Sequence, residues 1–88
     1  MGKVAAVYNM VGESPETPME DIAKDLPKSV PQGVSVIKAE VKPFAFGLKI
    51  IEVTCIMDDT SGILEKLEDA LREVPGIQNV ESTTVTLI

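Results

Sequence analysis

The stretch VSVIKAEVKPFAFGLKIIEVTCIM, residues 34–57, decides the fold. It holds two runs of strand-forming residues, Val34–Lys42 and Leu48–Met57, separated only by Pro43–Gly47. The first run alternates small or branched apolar residues with Ser35, Lys38 and Glu40. The second is rich in Ile and Val, as suits the centre of a sheet. The gap is too short for a helix, and its Pro and Gly mark a turn. Two strands therefore follow one another directly in the middle of the chain.

Upstream, Val4–Val11 reads as another strand, ended by Gly12. The acidic loop Glu13-Ser14-Pro15-Glu16 leads to Thr17-Pro18-Met19-Glu20. Thr17 is placed to cap a helix, Pro18 to open it, and Glu20 to complete a capping box. Met19, Ile22, Ala23 and Leu26 follow at helical spacing, and Pro27 should end the helix at Leu26 or kink it there. Pro31-Gln32-Gly33 closes the segment. Downstream, Asp58-Asp59-Thr60-Ser61-Gly62 reads as a turn. Ile63, Leu64, Leu67, Ala70, Leu71 and Val74 then form one apolar helical stripe, with Glu68 and Arg72 placed to pair on the other face. Pro75-Gly76 stops this helix, and Ile77–Ile88 is a fourth strand.

The order β-α-β-β-α-β is the split βαβ arrangement. The expected fold is an α+β, ferredoxin-like sandwich: a four-stranded antiparallel sheet with two helices on one face. The length of 88 residues suits one small domain spanning 1–88, with a Val, Ile and Leu core and no deep enclosed cavity.

Composition narrows the function. The net charge of −6 disfavours direct nucleic-acid binding, which needs clustered Lys and Arg, and fits a basic partner or plain solubility. No apolar run is long enough to span a membrane. One cysteine allows no internal disulfide, and the opening Met1-Gly2-Lys3-Val4 lacks a signal segment, so the default expectation is cytoplasmic. Without histidine, the commonest general base and metal ligand are missing. Cys55 shares a strand face with Val53 and Met57 and reads as a small core residue. Asp58 and Asp59 are candidates for a divalent cation, but acids before a helix more often favour its positive end alone. There is no glycine-rich phosphate loop, and Gly62 stands isolated. Tyr8 is the lone aromatic of its strand, which argues against base stacking on the sheet. No enzyme activity, cofactor or metal is expected.

What remains is the turn. Phe44 and Phe46 are two of only three aromatic residues in the chain. Either ring can fold back over the core, the usual use of an aromatic. For Phe44 this reading and an interface role stay open. For Phe46 the outward reading is stronger. Pro43 stiffens the approach, and Gly47 lets the backbone turn sharply before the next strand. A rigid exposed ring loses little entropy on binding and makes an interface anchor. Lys49, charged at an apolar strand start, points to solvent or to a partner.

The run Pro43-Phe44-Ala45-Phe46-Gly47-Leu48-Lys49, then Ile50-Ile51-Glu52-Val53 and the acidic Asp58-Asp59, resembles the guanine-nucleotide-exchange domain of elongation factor 1-beta. The short length, the opening at Met1 and the Val74-Pro75-Gly76-Ile77 close resemble its free-standing archaeal version. The resemblance implies that the chain binds elongation factor 1-alpha, a GTPase, and speeds exchange of its GDP for GTP. It implies Phe46 as the docking aromatic, supported by Gly47 and Lys49, with Phe44, Pro43, Asp58 and Asp59 as further partner-binding residues. It also implies a monomer when free. Eukaryotic members carry a lysine near the C-terminus that approaches the partner's magnesium site; here the last basic residue is Arg72. Magnesium must then be lost through pressure on the partner's switch segment, or through Asp58 or Asp59 competing for the ion. The alternative is an amino-acid-sensing regulatory module of the same element order, which would pair sheet to sheet. A purely structural subunit is a third reading.

Overall fold

A computed structural model describes residues 2–88, and Met1, where the chain opens, lies outside them. The elements run β1 (Lys3–Gly12), α1 (Met19–Ser29), β2 (Val34–Pro43), β3 (Lys49–Asp58), α2 (Ile63–Arg72) and β4 (Ile77–Leu87). The four strands form one sheet in the order β2-β3-β1-β4, and every neighbouring pair is antiparallel. This is the expected ferredoxin-like α+β fold.

The period of two in β1 and β3 fixes the core. Val4, Ala6, Tyr8 and Met10 are buried, and their register partners Met57, Cys55, Val53 and Ile51 are buried on the same face. A one-residue slip would turn all of these outward, so the pattern pins the register. The helices complete this core with Met19 and Leu26 from α1 and Leu67 and Leu71 from α2. Each such leucine contributes on the order of 1.5–3 kcal/mol by leaving water. Burial pushes the Cys55 thiol up to about 11, which suits an inert core residue. On the opposite face Ala5, Val7, Ile50, Glu52 and Ile56 are only half-buried. Ion pairs run along its edge at Lys38–Glu40, 2.7 Å, and Lys42–Glu52, 3.2 Å.

Two local expectations are corrected. The capping box does not form: Pro18 occupies the cap position with no side-chain hydrogen bond, and Pro18 C=O accepts from Ile22 N–H at 3.0 Å. Thr17 Oγ1 instead accepts from Ser14 N–H at 3.1 Å, because the preceding loop turns tightly on itself. Of the two outcomes expected at Pro27, an end at Leu26 does not occur: α1 continues to Ser29 with Val30 N–H closing on Leu26 C=O at 3.2 Å. A proline this close to the helix end removes one backbone bond and leaves little helix beyond it to disrupt.

Tyr8 lies under the helices and donates from its hydroxyl to Glu68 Oε2 at 3.1 Å. Burial first, and then the Glu68 charge, push its phenol well above the usual tyrosine range. Glu68 also meets Arg72 at 3.5 Å, the pair read from the sequence, so one carboxylate serves both partners.

Candidate functional site

The β2–β3 connection contains one tight 3-10 turn, Ala45–Gly47. Phe44 N–H donates to Leu48 C=O at 2.8 Å, and Leu48 N–H donates to Ala45 C=O at 3.1 Å. These two bonds close the loop across its own neck. The apex must then reverse within two residues, and both adopt left-handed backbone: Phe46 at φ 60° and Gly47 at φ 76°. Gly47 accepts that conformation freely. Phe46 does not, since a bulky residue there is held against roughly 1–3 kcal/mol of strain.

The strained residue is also the most exposed large apolar one described. Phe46 is 95% exposed, against 49% for Phe44 in the same loop. Neither ring joins the core cluster. Burying a phenyl ring would stabilise the fold by about 1.5–3 kcal/mol, and here that gain is forgone. Strain and exposure thus fall on one residue, the combination found where a side chain is presented for binding.

The loop is braced from the side. A methyl group built on Gly47 would lie 3.7 Å from Pro15 Cγ, so the β1–α1 loop sits directly against it. That loop is itself anchored, with Glu13 N–H donating to Gly76 C=O at 2.8 Å. Lys49 Nζ lies 3.3 Å from Glu20 Oε1, tying the first residue of β3 to the first turn of α1. Glu20's own backbone N–H, and then Lys49, hold its carboxyl below the usual range.

Of the residues singled out in the sequence, Pro43, Phe44, Phe46, Gly47 and Lys49 come together at this end of the sheet. Asp58 and Asp59 do not. They follow at the other end of β3, roughly 30 Å away at strand rise. There Asp59 N–H donates to Gly2 C=O at 3.0 Å, and the chain end lies alongside, with Ile88 N–H donating to Lys3 C=O at 2.8 Å. Among the described residues no group of three or more acidic or thiol side chains is arranged to hold a metal ion. Sequence reasoning missed Pro15 and Glu20. Both are remote in sequence from the loop they support, and neither sits in a pattern that announces it.

Fold and loop together define a ferredoxin-like domain that presents one preorganised aromatic ring at a sheet end. Comparison with known proteins places it further. A family model described as the EF-1 guanine nucleotide exchange domain matches residues 5–88. Elongation factor 1-beta of Methanococcoides burtonii is 35% identical over 83 residues, covering 94% of this chain and 93% of that protein. Elongation factor 1-beta of Methanothermobacter thermautotrophicus is 33% identical, covering 97% and 96%. The protein of that name from Ignicoccus hospitalis is 36% identical, covering 97% and 92%. The chain belongs to the EF-1 guanine nucleotide exchange domain family, which carries a nucleotide-exchange role in translation elongation.

Proposed function

We propose that this chain binds elongation factor 1-alpha through the Phe46 loop and promotes exchange of its bound GDP for GTP, without bond chemistry of its own. The observation that carries the reading is the 95% exposed Phe46 ring on a left-handed backbone, held there by the loop's own hydrogen bonds. A ring held in its binding geometry has little freedom left to lose, so its apolar area converts efficiently into affinity.

The mechanism is linkage. A protein that prefers the nucleotide-free GTPase weakens nucleotide binding by the same factor by which nucleotide weakens its own. The family match favours this reading over an amino-acid-sensing module. We assign Pro43, Phe44, Gly47 and Lys49 to the same partner surface, with Pro15 and Glu20 supporting it. Asp58 and Asp59 can act on the partner's magnesium only if the GTPase also reaches the opposite sheet end. The two routes to magnesium loss are therefore separable by substitutions at one end or the other. Mixing the chain with GDP-loaded elongation factor 1-alpha and following nucleotide release tests the proposal: release accelerates if it holds and is unchanged if it does not.

A further inference from the structure

On the helical side, a groove of about 290 Å³ separates one face of α1 from the segment after α2. Its apolar lining residues are Pro18, Ile22, Val74 and Pro75, and Asp21 and Asp25 stand on its α1 side. An adjoining hollow of about 230 Å³ shares Ser29, Val74 and Pro75 with it and adds Glu73 on the far side. Asp21, Asp25 and Glu73 are exposed, and among the described residues none of them is in an ion pair. No residue of the Pro43–Lys49 loop lines either hollow.

We propose that this groove is a second docking surface, for a basic segment of another protein. One apolar side chain of that segment sits against Ile22 and Val74, and flanking lysines or arginines face Asp21, Asp25 and Glu73. The apolar wall supplies affinity. The carboxylates select the sign of the partner, because an acidic segment would bring like charges together. The same argument disfavours a second copy of this chain, whose net charge is −6 and whose eight basic residues are dispersed along it.

The test is an NMR titration of the whole chain with a short lysine–leucine peptide. Two further peptides serve as controls, one with glutamate replacing lysine and one with serine replacing leucine. The expected result is saturable binding by the lysine–leucine peptide, with amide shifts concentrated at Ile22, Asp25 and Val74 and none at Phe46. Each control peptide, and the Asp21→Lys/Glu73→Lys variant, should bind at least about tenfold more weakly. That variant should still accelerate GDP release if the unaltered chain does. Shifts scattered over the surface, or equal binding of the glutamate or serine peptide, overturn the proposal. So does slowed GDP release by the variant, which would place the groove within the GTPase interface. A dimer abolished by the same substitutions would make a second copy the occupant and overturn it equally.

Discussion

Glu20 and Lys49 meet at 3.3 Å, although 29 positions separate them in the chain, and their contact joins the first turn of α1 to the start of β3 beside the Phe46 loop. The pair lies on the surface, where such contacts contribute little to global stability. Its consequence is local, because it fixes where Lys49 stands relative to the ring.

The depressed Glu20 carboxyl gives the pair a pH signature. A carboxyl lowered on folding contributes stability that is present above its ordinary value of 4.5 and is lost as pH falls through the folded value. Glu20→Gln should therefore lower Tm slightly at neutral pH and not at all once wild-type Glu20 is protonated. Paired thermal melts across the acid range check this, and a gap between the two proteins that widens in acid would contradict it.

Tyr8→Phe removes the hydroxyl that donates to Glu68 and leaves the ring in the core. The expected cost is about 1.5–3 kcal/mol at neutral pH, measured by chemical denaturation, since the acceptor is a carboxylate. The folded phenol is raised, so its contribution is whole below the unfolded value of 10.0 and falls as pH climbs past it. Wild type should lose stability in that alkaline range more steeply than the variant.

Gly76 and Gly33 separate two costs of adding a methyl group. Both have left-handed backbone, at φ 90° and φ 94°. A Cβ on Gly33 meets nothing within 4 Å, whereas one on Gly76 lies 2.9 Å from Thr17 Cγ2. Gly33→Ala should cost only the backbone term, roughly 1–2 kcal/mol. Gly76→Ala should cost more and shift the β1–α1 loop that braces Gly47. Equal destabilisation of the two variants would show that this loop yields freely.

Much of the architecture was legible because the strong signals were periodic. Tyr8, Val53 and Cys55 sit where alternation puts them, and Leu67 and Leu71 where helical spacing does. The errors arose where local chemistry had a competing option. The Thr17 hydroxyl took the Ser14 N–H in place of a helix N–H, and Pro27 stood too near the end of α1 to end it at Leu26. The loop aromatics were legible through Pro43 and Gly47, but Phe46's own left-handed backbone was not, because bulky residues rarely adopt it. Asp58 and Asp59 are only a strand's length from the loop in sequence, and that strand carries them to the far end of the sheet.

The strain at Phe46 predicts that fold and function pull apart. Phe46→Gly relieves the left-handed backbone and removes an exposed ring, so stability should hold or rise by up to about 1 kcal/mol. The gain is reduced because glycine also makes the unfolded chain more flexible. Affinity for elongation factor 1-alpha should fall in the same protein. A clear loss of stability would mean that the ring supports the loop rather than the partner.

The most direct measurement is stopped-flow release of GDP from elongation factor 1-alpha, comparing the unaltered chain with Phe46→Ala at a subsaturating concentration. The account predicts acceleration by the former. It predicts a loss of about thirtyfold in the latter, as an anchor worth roughly 2 kcal/mol requires, with the circular dichroism spectrum unchanged. Equal acceleration by both proteins would contradict it.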